Sequence, residues 1–314
     1  MYRSSLFSNV SQSIKRKTRN AYFASLLDDY AMKKQSKKAI QLAKKKGDSI
    51  IIYSLLQKTI LPSLRRTIPQ RVYKYFPLDI NEYIDKRNIE TIMNNKIWSS
   101  TCKGFNDPFE GQYMFLSPSD FKDMGLPEQA AKTWESVIDV VMKYVTTICF
   151  TQNPNNMPMW AHYANNHHGF CVEYEIIRTD HFYPVIYIDK RLKTKNLFLD
   201  LIYYLLRENS TPEEKALVLK HVMILSTFKH RDWEYEKEIR AVFMNSIEQV
   251  PNNGRLLNCD EIGIKPLKIF SGVNCSEQNQ TSLQKIAENI GIFYQKCSIT
   301  SHESFNVVNE VHHA

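Results

Sequence analysis

The segment Trp233-Glu234-Tyr235-Glu236-Lys237-Glu238-Ile239-Arg240 sets three carboxylates and a guanidinium at alternate positions. Read as the entry to a strand over 236–244, it places residues 234, 236, 238 and 240 on one face, with Tyr235, Ile239 and Ala241 toward the core. Carboxylates held this close raise one another's pKa, and Arg240 offsets that for its neighbour. Such a face suits chemistry in which a carboxylate meets developing positive charge or accepts a proton. An exposed edge of solvated charges would mix its signs more evenly.

Two further segments are polar beyond what packing needs. In Asn106-Asp107-Pro108-Phe109-Glu110, Asn and Asp before Pro favour a turn, and the loop either anchors itself rigidly or presents carboxylates to a cleft. Trp160-Ala161-His162-Tyr163-Ala164 with His167 and His168 can stack on a planar ring or supply an acid/base imidazole, and equally can be a helix face seated on the core. No second set of ligands at zinc-like spacing accompanies these histidines, so a metal centre is not expected there.

The elements that would position these groups follow from periodicity and turn chemistry. Strands are expected at 72–76, 96–101, 145–150, 170–174, 184–188, 236–244 and 267–270. Helices are expected at 79–94, with Ile80, Tyr83, Ile84, Ile92 and Met93 as its apolar stripe, and at 130–142, 196–208, 212–228 and 280–290. The helix from Pro212 has Thr211 as cap and Glu214 to close a capping box. Helices and strands intersperse without βαβ regularity, which makes the class α+β, with a mixed or antiparallel sheet core.

Charge divides the 314 residues in two. Residues 1–66 carry 15 Lys/Arg against 3 Asp/Glu, whereas the remainder carries 26 against 30. A basic helical segment over 1–66 is therefore expected to precede an α+β domain over 67–314, with a linker around Pro62–Pro69. The clusters Lys15-Arg16-Lys17 with Arg19, Lys33-Lys34, Lys37-Lys38 and Lys44-Lys45-Lys46 alternate with Tyr22, Phe23 and Tyr30. That interleaving suits phosphate contacts with some stacking, and so DNA or RNA, although an acidic protein regulator would meet the same charge. The 6 cysteines lack C-x-x-C spacing, and Cys149 and Cys171 sit in apolar strand-like runs, as free thiols do in a reducing cytoplasm. No apolar run is long enough for a membrane helix, and no secretory signal opens the chain.

Five motifs in order, Tyr73–Tyr75, Phe105–Glu110, Met159–Tyr163, Gly169–Glu173 and Trp233–Arg240, resemble a bacterial family classed as a domain of unknown function. Where that family's closing motif has a second Trp, this chain has Ile239. The resemblance implies a cytosolic protein of the kind found beside phage-defence, abortive-infection genes. The order of an aromatic opening strand, a serine strand and a late Glu-x-Glu is also similar to ADP-ribosyltransferases, and that similarity implies NAD as substrate. It assigns Glu238 as catalytic carboxylate, Glu236 as its partner, and Tyr73, Tyr75, Ser99, Ser100, Asn106, His162 and Tyr163 to the NAD pocket. Those transferases open with Arg or His where this chain has Tyr-Lys-Tyr. The implied activity is ADP-ribosyl transfer or NAD cleavage by a toxin that the basic segment directs. Two alternatives stand beside it: a non-catalytic nucleic-acid-binding sensor, and a nuclease with Asp107, Glu110, Glu236 and Glu238 around Mg²⁺.

Overall fold

A computed structural model of the protein describes residues 66–110, 144–190, 226–245 and 254–299, with isolated positions between them. The clusters from Lys15 to Lys46 lie outside the described residues, as do almost all of the helices expected over 130–142, 196–208 and 212–228.

The strands are β1 (Arg71–Phe76), β2 (Lys96–Ser100), β3 (Met114–Phe115), β4 (Val145–Thr151), β5 (Phe170–Ile176), β6 (Phe182–Pro184), β7 (Ile186–Ile188), β8 (Leu192–Lys193), β9 (Phe228–His230), β10 (Glu238–Met244), β11 (Gly254–Asn258), β12 (Ile264–Ser271) and β13 (Phe293–Lys296). The helices are α1 (Glu82–Met93), α2 (Met157–Tyr163), α3 (Cys259–Ile262) and α4 (Glu277–Ile290). The α+β class holds: a nine-stranded sheet runs β11-β2-β4-β1-β5-β12-β13, with β10 on β4 and β6 on β10. Its pairings are antiparallel except β12–β13.

The sheet forks at β4. One edge of β4 is paired along its whole length by β10, from Glu238↔Thr151 to Met244↔Val145. The other edge is shared, with β1 meeting it at Tyr73↔Thr151 and β2 at Ser100↔Thr147. A strand has only two edges, so β1 and β2 must diverge from β4 as two branches. The branch through β1 continues into β5, β12 and β13, and the branch through β2 ends at β11.

Burial follows the period of two. Val72, Phe76, Ile148, Phe150, Val172, Ile239, Ala241 and Ile269 form the main core with Ile92 of α1 and Leu283, Ile286 and Ala287 of α4. On the other face a smaller cluster gathers Tyr75, Cys171, Phe270, Met159 and Trp160, with α2 laid across it. Asn81 caps α1 by accepting from the Ile84 N–H, and Ser276 caps α4 by accepting from Asn279.

The stripe expected on the first helix is buried only in part. Ile92 is buried and Ile84 half-buried, but Ile80, Tyr83 and Met93 are exposed, and Asn88 and Thr91 are buried in their place. Asn88 tolerates burial because its amide donates to the Pro77 carbonyl (2.8 Å), and Thr91 because its hydroxyl donates to Arg87 (2.7 Å). The strand expected over 184–188 breaks at Val185 into β6 and β7, which join different partners, β10 and β9. Phe228 opens β9 instead of closing a helix. The elements β11, α3 and β13 were not expected.

Gly169 stands where β5 leaves the α2 turn. A Cβ there would lie 2.1 Å from the Phe76 carbonyl oxygen and 3.0 Å from the Pro77 Cα, both backbone. Gly169→Ala is expected to lower the unfolding free energy by roughly 2–4 kcal/mol, because main chain must move to admit a methyl group. Chemical denaturation of the two proteins measures it.

Candidate active site

A cleft of about 910 Å³ occupies the fork. Its volume lies toward the upper end of what small-molecule and cofactor sites enclose. Glu236 and Glu238 form its floor, 2% and 3% exposed, and Tyr83, Arg87 and Trp98 stand exposed at its mouth.

The floor is built around Arg240. Its guanidinium is 1% exposed and meets both oxygens of Glu110, at 2.5 and 2.9 Å, in a bidentate pair. It also donates to both oxygens of Glu238, at 2.9 and 3.1 Å, and to the Ser226 carbonyl. Burial opposes its charge, but Glu110 and Glu238 outweigh that and hold it firmly protonated. The Phe105 ring lies 5.4 Å from the guanidinium carbon.

Lys229 sits between the two floor carboxylates. Its ammonium donates to Glu236 and, at 3.2 Å, to Glu238, and rests 4.7 Å from the Trp233 ring centroid. Burial disfavours that charge too, yet Glu238 and Glu236 together keep it protonated.

Identical groups in one site thus acquire opposite tendencies. Burial pushes the Glu238 carboxyl up, but Arg240 and Lys229 overcome it and hold the group down at about 2. Glu236 is pushed above the ordinary range by burial and by the charge of Glu238, which Lys229 and Tyr163 do not fully offset. The Tyr163 hydroxyl donates to Glu236 Oε1 at 2.6 Å, and burial with the adjacent carboxylate keeps it protonated. Asn106 in turn donates to the Tyr163 oxygen at 3.0 Å.

Local structure puts Glu236 there by a different route from strand alternation. Residues Arg231–Glu236 form a 3₁₀ turn, and Lys237 (φ 46°) takes the left-handed conformation that leads into β10. Glu234 is left outside, exposed. The turn is fastened from two sides: the Thr151 hydroxyl donates to the Glu236 carbonyl at 2.6 Å, and the Asn156 amide donates to that of Tyr235. Asn156 also caps α2, so one residue starts the helix that carries Tyr163 and holds the turn that carries Glu236. Trp160, fully buried, fixes α2 by donating to the Pro154 carbonyl (2.8 Å) and meeting the Tyr75 ring edge-on at 5.0 Å.

The expected site residues separate accordingly. Glu236, Glu238, Tyr73, Tyr75, Ser100, Asn106 and Tyr163 all line the cleft. The Tyr75 hydroxyl is committed to the carbonyls of Asn153 and Pro154, and that of Tyr73 to Glu173 at 3.3 Å. Ser99 is buried on the opposite side of β2 from Ser100, and His162 is exposed and does not line the cleft. Asp107 accepts from the Phe109 N–H at 2.9 Å, the turn-forming bond its place before Pro suggests. Lys229, Lys74, Arg87 and Trp98 were not singled out from sequence. Lys229 alternates with Phe228 and His230 as a strand residue does, a signal hidden by the apolar run before it.

Comparison with known proteins adds one finding. Residues 159–241 match a family described as "Protein of unknown function (DUF2971)". The match spans about a quarter of the chain, from α2 to within β10, and so contains Tyr163, Lys229, Glu236, Glu238 and Arg240. No curated protein and no solved structure matches the chain. Among the described residues no helix is long and apolar enough to cross a membrane.

Arg240→Met is expected to cost about 3–5 kcal/mol at neutral pH, since Glu110 would be left buried without its cation and Glu238 with Lys229 alone. The pH dependence should change as well. In the unsubstituted protein Glu238 contributes stability above its ordinary 4.5, lost as pH falls toward about 2. Glu110 and Glu236, held above their ordinary value chiefly by burial, already act in the opposite sense. Without Arg240 the main charge that lowers Glu238 is gone, so the loss of stability on acidification should shrink. Thermal unfolding of both proteins across pH measures the change.

Proposed function

We propose that the cleft binds NAD and breaks the bond between nicotinamide and ribose, with Glu236 as the reacting carboxylate. The observation that carries this reading is the division of labour on the cleft floor. Glu238 is neutralised by Arg240 and Lys229 and spends both oxygens on them. Glu236 has Lys229 alone as its cation, gives its other oxygen to Tyr163, and keeps a raised proton affinity. The residue implied as partner thus takes the reacting role, and the implied catalytic carboxylate becomes its positioning neighbour through Lys229.

The step balances simply. The ribose C1–N bond breaks, nicotinamide leaves with the electron pair, and cationic charge develops on the ribose ring. Glu236 stabilises that charge and takes a proton from the incoming nucleophile, for which a raised pKa fits it at neutral pH. With water as nucleophile the products are ADP-ribose, nicotinamide and a proton, and with a macromolecular acceptor the ADP-ribosyl group is transferred. The basic charge of residues 1–66 favours a nucleic acid, or a protein bound to one, as that acceptor. A metal-dependent nuclease is less favoured, because Lys229 and Arg240 already occupy the ground between the carboxylates that Mg²⁺ would take.

Incubation of the full chain with NAD should release nicotinamide. Glu236→Gln should lower the rate by roughly 10²–10⁴ while leaving the unfolding midpoint near its original value. Equal turnover by both proteins, or none by either with nucleic acid present, would remove the proposal.

A further inference from the structure

The cleft has a second chemistry, away from the carboxylate floor. Lys74, Arg87 and Lys103 line it and form no ion pair among the described residues. Among the described residues, the only carboxylates lining it are Glu236 and Glu238, both already matched by Lys229 and Arg240. Three cations therefore face one cleft without an ion-paired partner among the described residues. Lys74 is half-buried, and among the described residues its amine donates to the Cys149 carbonyl at 3.3 Å and lies 5.7 Å from the Phe76 ring centroid. Burial pulls its pKa down by more than the charge of Glu238 raises it.

Beside these cations stands Trp98, 43% exposed at the mouth. Its side chain is placed by Gly254, which pairs with Ser100 across the β2–β11 ladder and has φ +147°. A Cβ on Gly254 would lie 2.7 Å from two indole ring atoms and 2.3 Å from the Ser99 carbonyl oxygen. The missing side chain is what lets the indole lie close over the neighbouring backbone. Leu256, directly opposite Trp98 on β11, supports it on the same face, and Tyr83 of α1 is exposed at the same mouth. A large indole kept out of the core but backed in this way is a stacking surface, and every nucleobase offers a face to it.

We infer that the mouth of the cleft is a subsite for a nucleoside diphosphate, its base stacked on Trp98 and its phosphates held by Lys74, Arg87 and Lys103. The inference rests on the proposed activity for the direction in which the ligand lies, with the scissile bond toward Glu236, and not for the binding itself. It assigns to Trp98 the selection of a base-bearing ligand over phosphate alone, because cations cannot tell the two apart.

Calorimetric titration of the full chain with ADP, inorganic pyrophosphate and adenosine tests this. ADP should bind at least tenfold tighter than either fragment, the loss of one stacked base being worth about that factor. Trp98→Ala should weaken ADP by about tenfold or more and leave pyrophosphate unchanged, with Trp98→Phe in between. Arg87→Gln should weaken ADP and pyrophosphate by a similar factor and spare adenosine. Equal binding of ADP and pyrophosphate, or ADP binding indifferent to Trp98→Ala, would overturn the subsite. The outcomes separate from those of the cleavage assay. ADP binding without NAD turnover keeps the subsite and removes the reaction, whereas turnover that ADP does not inhibit keeps the reaction and removes the subsite.

Discussion

A guanidinium removed from water is the constraint around which this site is arranged. Arg240 carries a full charge on a strand buried along nearly its whole length. Such a charge survives only with good geometry on several sides. Glu238 meets it from the same strand, Glu110 from the loop that follows β2, and the Ser226 carbonyl from the turn before β9. Three separated parts of the chain are thus required to converge at one point. Lys229, three residues past Ser226, is carried in with that turn, and the pairing that fixes the fold also delivers the second cation of the site.

That convergence makes the two carboxylates unequal. Had Arg240 been absent, Glu236 and Glu238 would compete for one ammonium and share their protons. With it, Glu238 is satisfied and serves as a fixed negative charge that raises the proton affinity of Glu236. Asn156 then ties the Glu236 turn to the helix that bears Tyr163. The carboxylate and its phenol donor are held by one capping residue, so their separation is set by backbone and not by side-chain freedom.

The sequence made part of this legible. The period of two over Glu238-Ile239-Arg240-Ala241 correctly set Ile239 and Ala241 against Glu238 and Arg240, because alternation is a local property of a strand. It misplaced the start of that strand, since nothing local distinguishes a 3₁₀ turn and a left-handed Lys237 from two more strand residues. The buried face of α1 was read at Ile92 but missed at its polar positions, for a different reason. Asn88 and Thr91 are buried by satisfying their polar groups on nearby carbonyls, and a stripe drawn from hydrophobicity alone cannot see them. Lys74, Arg87 and Trp98 line one cleft because β1 and β2 diverge at β4, and a fork in a sheet leaves no mark on either strand.

The fork itself divides the cleft's walls by strength of attachment. The β10 wall is joined to β4 along its full length, with seven paired residues from Glu238 to Met244. The wall formed by β2 and β11 meets β4 only at Ser100↔Thr147. Hydrogen bonding to β4 thus does little to hold that ribbon, and burial does the rest, since Ile97 and Leu257 are 0% and 2% exposed within the main core. The two walls of the cleft are secured by different forces, one by a backbone ladder and the other by apolar contact.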